Sequence, residues 1–285
     1  MELRIRSSQM SARFFLALLP FSLFASVAPA QGQTAAAERA SRIASLSNQL
    51  RWHDEVGRQR YAAARDGLTR QILNEIDGFI SDSFRPDNAT ADQVKSGLDT
   101  VLGKKQGDRR NNFAFLLDLP SGQFLIAGVE LWRGGEAIAE NAISIRAYRV
   151  AESKFVPVAD ASDLSSSYPD NPYLEDLHAS VLTTPSAAEG FWFIVLADVP
   201  PQSPPSVAVR IYAFDGEGFR AIWVPKNILA ETVESAVQIT DDGFILQRLV
   251  DKSGVAAHSP ETVVHERYLV SAEGVQKLNA WETER

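Results

Sequence analysis

Residues 209–223 read VRIYAFDGEGFRAIW. Val209, Ile211 and Ala213 alternate with Arg210, Tyr212 and Phe214; Phe219, Ala221 and Trp223 alternate with Arg220 and Ile222. A period of two sends successive side chains to opposite faces of a sheet. Asp215-Gly216-Glu217-Gly218 between the runs supplies the turn, because glycine takes positive φ without a Cβ clash. The stretch is a β-hairpin, and its pattern returns twice. Residues 145–158 (IRAYRVAESKFVPV) and 266–278 (ERYLVSAEGVQKL) place Tyr148 seven residues before Phe155 and Tyr268 seven before Val275, as Tyr212 stands before Phe219. Three of the chain's six tyrosines fall at this one place.

The echo extends upstream. Gly122, Gly190 and Gly243 each open an apolar run, 26, 22 and 25 residues before the matching tyrosine. Before each glycine lies another strand-like run: 113–119, 178–184 and 235–240. The reading is a mainly β region, 111–285, of three four-stranded antiparallel units near 113–158, 178–224 and 235–278. Units of about 45 residues have the size of propeller blades. Propellers normally use four to eight. Three units therefore predict an open or unusually small propeller-like arrangement, or one completed by a second chain. A trefoil-like barrel and a twisted β-sandwich are the alternatives. Pro225 ends the last strand of the second unit, and Asn227 is placed to cap one turn of helix.

Residues 31–110 carry a different period. Leu46, Leu50, His53, Gly57, Tyr61, Ala64, Leu68, Ile72, Ile76 and Phe79 step by three and four, one face of a helix. Unbroken, it would be roughly 70 Å long at 1.5 Å per residue, longer than the β region is wide. Breaks are expected at Gly57 and at Asp66-Gly67, since glycine costs about 1 kcal/mol in a helix interior. Thr90, with Gln93 three residues on, caps a second helix bearing Val94, Leu98, Val101 and Leu102. The long stripe must be buried, against the β region, between the helices themselves, or against a second copy in a homodimer through these helices.

The first 30 residues read as a targeting segment. Arg4, Arg6 and Arg13 precede the apolar run 14–27, which is too short to span a bilayer, and Ala28-Pro29-Ala30 offers a cleavage site before Gln31. The expected product is periplasmic or secreted, with no transmembrane segment. The whole chain has a net charge of −8; the leader holds three Arg and one Glu, which leaves −10 beyond it. That charge disfavours nucleic acid. The absence of cysteine excludes disulfides, thiolate nucleophiles and zinc-thiolate sites.

The chemistry is sparse. The sequence contains no HExxH, GxSxG, P-loop or dinucleotide motif, and neither a cofactor nor a metal is expected. The densest polar cluster is the long link 159–177, where Tyr168, Asp170, Tyr173, Glu175 and Asp176 run up to His178. This is the candidate ligand-binding segment; its spacing fits no EF-hand. Asp241-Asp242 is a carboxylate pair of the kind glycosidases use, but acids directly before Gly243 are better read as a tight turn. Trp132, Trp192 and Trp223 either line a sugar or peptide site or pack in the core, the usual place for strand aromatics. Two functions follow: an exported non-catalytic binding or scaffolding protein with a protein or small-molecule partner, or a periplasmic hydrolase with a site built from residues 168–178.

Overall fold

The computed structural model describes residues 31–52, 62–103, 111–132, 141–161, 175–182, 190–199, 206–225, 227–230, 232–250, 262–271 and 274–284. Three helices, α1 (Gln31–Trp52), α2 (Ala62–Ser83) and α3 (Ala91–Val101), precede an all-antiparallel β region. Its first sheet, A, is the meander β1 (Phe113–Leu119), β2 (Gly122–Trp132), β3 (Asn141–Ala151) and β4 (Lys154–Ala161). Sheet B runs β5 (Glu175–Leu182), β6 (Phe191–Val199), β7 (Ser206–Phe214) and β8 (Phe219–Trp223), and β9 (Ile228–Leu229) also pairs with β7. Sheet C is β10 (Val237–Thr240), β11 (Gly243–Val250), β12 (Thr262–Ser271) and β13 (Gly274–Glu284). The chain is therefore three open four-stranded units behind a helical region, and no closed barrel forms.

The tyrosine repeat is exact in register. Tyr148, Tyr212 and Tyr268 all lie on the third strand, opposite Leu125, Phe193 and Phe244 on the second. Each sits at a bulge and pairs with the residue nine further on: Pro157, Ala221 and Lys277. The residue two beyond each tyrosine pairs with the expected apolar partner, giving Val150↔Phe155, Phe214↔Phe219 and Val270↔Val275. A bulge increases local twist and re-aims the strand, so the same device recurs in every unit. The glycines match less well: the residue facing tyrosine is the third after Gly122 and Gly190 but the first after Gly243.

The hairpin turns follow from local chemistry. At 215–218 the Asp215 carboxylate accepts the backbone N–H groups of Glu217 and Gly218, both at 2.9 Å, and Gly216 takes φ +98°. These amide bonds, that from Gly218 foremost, hold Asp215 below the ordinary carboxylate range. In sheet B, Asn227 leads into β9 instead of capping a helical turn; β8 and β9 share one edge of β7, with Pro225 between them.

The layers stack in chain order. The helices bury Ile43, Leu50, Ile72, Ile76 and Ile80 against one face of sheet A, which supplies Leu125, Ala127, Val129 and Tyr148. The other face of A meets sheet B through Phe124, Ile126, Ile145, Phe193, Tyr212 and Phe214. The far face of B, with Ile194, Val209 and Ile211, meets Phe244, Leu246 and Val270 of sheet C. Among the described residues no core cluster joins sheet C to sheet A or to the helices.

The helical stripe divides into an antiparallel pair. Arg39 of α1 pairs with Asp82 at 2.7 Å and Glu75 at 3.2 Å, and Arg42 also reaches Glu75. Arg39 lies across Gly78, where a Cβ would meet its guanidinium carbon at 2.2 Å. Asp66-Gly67 does not break the helix: Gly67 sits inside α2, with open space where a side chain would be. One glycine in an otherwise packed 22-residue helix is tolerated at about 1 kcal/mol. The other expected break, Gly57, lies outside the described residues, with His53 and Tyr61. Thr90 and Gln93 form the expected capping box on α3. Among the described residues no helix is long and apolar enough to cross a membrane.

Candidate functional site

Polar groups gather at three seams of this stack and on its outer end. At the first seam, Asp77 of α2 lies over β3. Arg146 donates to both carboxylate oxygens, through Nε at 2.6 Å and through Nη2, and the Tyr148 hydroxyl donates to Oδ1 at 2.8 Å. Burial works against the charged guanidinium, but the bonds and charge of Asp77 outweigh it and keep Arg146 protonated. Burial first, and then the Asp77 charge, push the Tyr148 hydroxyl well above the ordinary tyrosine value.

The second seam joins α3, sheet A and sheet B around Glu130, a charge alone in the apolar run 124–132. It is 1 % exposed. Its Oε2 accepts the backbone N–H of Asn111 at 3.1 Å and of Leu177 at 3.4 Å. The Asn112 side chain accepts from the Glu130 N–H and donates to Asp99 of α3, which also pairs with Lys95. His178, in the bulged start of β5, brings Nε2 to 3.4 Å from the Asn111 amide nitrogen.

This is where the candidate segment 168–178 reaches the described structure. Tyr168, Asp170 and Tyr173 lie outside the described residues, and of Glu175 and Asp176 only the strand backbone is described. Of the six candidates, His178 alone has a described side chain, and it is half-buried against the seam. A buried carboxylate that receives the backbone amides of Asn111 and Leu177 fixes those two segments in place. Among the described residues no group of three His, Asp or Glu side chains is placed to hold a metal ion.

The third seam lies between sheets B and C. Glu266 accepts from Lys277 at 2.7 Å, Arg248 at 3.2 Å and the Tyr268 hydroxyl at 2.9 Å. Burial raises its pKa, but these donors prevail and hold it below the ordinary value. Burial and the neighbouring carboxylate push Tyr268 up to about 12. Tyr268 stacks on Phe244 at 5.0 Å, with Trp223 of β8 closing the group at 5.0 Å. Trp223 is thus a seam residue and Trp192 is buried core; the Trp132 side chain lies outside the described residues.

A titration follows from the two tyrosines. Their raised values favour the neutral form in the folded state, so the stability they contribute is intact below about pH 10. It is lost as the pH climbs through the folded values, near 12 for Tyr268. Tyrosinate absorbance of the native protein should show Tyr148 and Tyr268 titrating above the ordinary tyrosine value, and Tyr268→Phe should remove a transition near pH 12. An unchanged absorbance titration in Tyr268→Phe above about pH 11 would contradict the described packing.

The outer end is different in kind. The face of sheet C turned away from B carries Ile245, Gln247, Leu249, Val263, His265, Arg267, Leu269 and Trp281, by alternation along the paired strands, and of these Leu249 is buried. His265 and Trp281 stack at 5.1 Å with 6° between their planes. Arg267 pairs with Asp242 at 2.8 Å. Asp242 is held below the ordinary carboxylate range by Thr240 first and Arg267 next. Asp241-Asp242 is thus the β10–β11 turn, with the Asp242 carbonyl accepting the Val270 N–H. Trp281 is 40 % exposed, and β13 is exposed from Gln276 to Glu284.

Sequence reasoning missed Asp77, Arg146 and Glu130. Asp77 beside the stripe residue Ile76 and Glu130 within FLIAGVELW were the available signals. No protein-family profile, curated protein or solved structure matches the chain.

Proposed function

We propose that the protein is an exported, non-catalytic binding or scaffolding module that docks a folded protein on the outer face of sheet C. One observation carries this reading. Sheets A and B are covered on both faces, whereas among the described residues sheet C is covered on one. Two of the polar seams support it, because their charged groups are engaged in joining layers: Asp77 of α2 with Arg146 of sheet A, and Glu130 between A and B. A mixed face of Ile245, Val263, Trp281, Gln247 and a neutralised Arg267–Asp242 pair has the composition of a non-obligate protein interface, with aromatic and Arg enriched. Export rests on the basic start, short apolar run and Ala28-Pro29-Ala30 of the leader.

The test is photo-crosslinking in the producing cell, with a reactive side chain placed at Gln247 in one variant and at Gln71 on the exposed side of α2 in another. A protein adduct from position 247 and none from 71 is the expected result. No adduct from 247 would sink the reading. The purified chain should begin at Gln31; a product that retains Met1 would overturn export. The hydrolase alternative draws on no observation among the described residues beyond His178, whose ring lies against the Asn111 amide.

A further inference from the structure

We infer that the occupant of the outer face of sheet C is a second copy of this chain, in an isologous dimer that sets the two C sheets face to face. The inference rests on the docking role proposed for that face. Three features of the molecule select this occupant.

The first is continuity. The chain already joins its layers by sheet-on-sheet packing, A on B and B on C. A pair of C sheets adds one more contact of the same type. It also closes: α1, α2 and α3 cover the outer face of A, so a pair runs helices, A, B, C, then C, B, A, helices, with both ends capped. A heterologous C-on-A contact, which would propagate into a fibre, is blocked by the helices.

The second is charge. The chain beyond the leader is −10, from −8 for the whole chain less the leader's +2, so two copies repel on average. The outer face of C is an exception: Arg267 and Asp242 neutralise each other, and the other described strand residues that alternation puts on this face, among them Ile245, Gln247, Leu249, His265, Leu269 and Trp281, carry no Asp, Glu, Lys or Arg. The edge of the same sheet is a worse docking site. Strand β13 carries a bulge at Leu278, Lys277, and two acids, Glu282 and Glu284, at its end. Bulges and edge charges are the usual means of blocking edge-to-edge pairing.

The third is area. Strands of eight to eleven residues rise about 3.4 Å per residue and lie about 4.8 Å apart. The face is then on the order of 500 Å² per copy, or about 1,000 Å² for the pair. That reaches the threshold for a specific interface but falls short of the ~1,600 Å² standard size. The dimer should therefore be reversible, with a dissociation constant in the micromolar range.

Sedimentation velocity on the purified protein from about 2 to 200 μM tests this. Wild type should pass from monomer to dimer across the series. Ile245→Lys and Trp281→Glu each place a charge on the face and should weaken association by tenfold or more, with melting temperatures kept close to wild type. Glu282→Gln, turned away from the face, should leave association unchanged or slightly tighter. Wild type that stays monomeric at 200 μM would overturn the dimer. So would a dimer that survives both face substitutions, since it would use another surface. If the wild type is monomeric while a reactive group at position 247 captures a different protein, the docking face stands and the second copy falls; if neither associates, both fall.

Discussion

Asp77→Ala should be among the most destabilising single substitutions in this chain. The carboxylate receives both arms of Arg146 and the hydroxyl of Tyr148, and all three groups lie under α2. Arg146 and Asp77 retain 13 % and 14 % of their side-chain exposure, and Tyr148 retains none. Removing the acid leaves a cation and a hydroxyl facing apolar side chains. Breaking a buried pair from one side costs about 3–5 kcal/mol, because the remaining charge keeps its desolvation penalty without its partner. For a chain of this size that is on the order of 10 °C in melting temperature.

The size of the effect distinguishes the pair from the other ion pairs on the helices. Arg42–Glu75 and Lys95–Asp99 are half-exposed, and removing either should change stability by less than about 1 kcal/mol. The double variant Asp77→Ala/Arg146→Met should recover most of the loss, since an apolar side chain of similar length replaces the orphaned cation. Chemical denaturation of the four proteins in the cycle measures this. If Asp77→Ala costs less than 1 kcal/mol, the helices are held to sheet A by apolar packing alone and the seam contributes nothing.

These docking groups mark the limit of what the sequence disclosed. The sheets were legible because their signals are local: a period of two, turn residues at fixed offsets, and a tyrosine seven residues before an apolar partner. The register puts the three tyrosines at equivalent places, each beside a bulge that no local signal announced. The capping box at Thr90 and Gln93 is likewise confined to four residues. The expected break at Asp66-Gly67 failed because propensity is a small term, and the packed residues Leu68, Ile72 and Ile76 carry the helix through it.

Asp77 and Arg146 are 69 residues apart, and Glu130 and Leu177 are 47 apart. No periodicity reports such pairs. Each appears in the sequence only as a charge where an apolar residue would be unremarkable. The same logic explains the outer face of C. Its alternation of Ile245, Gln247, Val263 and His265 resembles any half-buried strand, and only the stacking order reveals that it is the end of the pile. The function classes were narrowed by what was missing from the sequence, and the surface that carries the proposal emerged from the topology.

The second large effect belongs to the junction of sheets A and B. Phe193→Ala should cost about 3–5 kcal/mol, the range for deleting a buried aromatic ring. Phe193 is fully buried and faces Tyr212 across the β6–β7 pair. Rings from both sheets surround it: Phe191 and Tyr212 at 5.6 Å, Phe115 at 6.0 Å, Phe219 at 6.1 Å and Phe113 at 6.3 Å. Those neighbours sit on different strands of two hydrogen-bonded sheets, so they have little freedom to collapse into the space, and a poorly collapsing site sits at the upper end of the range. Phe193→Leu keeps part of the volume and should cost distinctly less.

The contrast with Asp77→Ala is informative. The Asp77 loss should be rescued by changing its partner Arg146. The Phe193 loss is a cavity, which no second polar substitution repairs. If Phe193→Ala costs less than 1 kcal/mol, sheets A and B are not packed through this ring. The layered order on which the outer face of C depends would then be wrong. Full-chain stability after this one substitution therefore tests the premise shared by the docking face and the dimer.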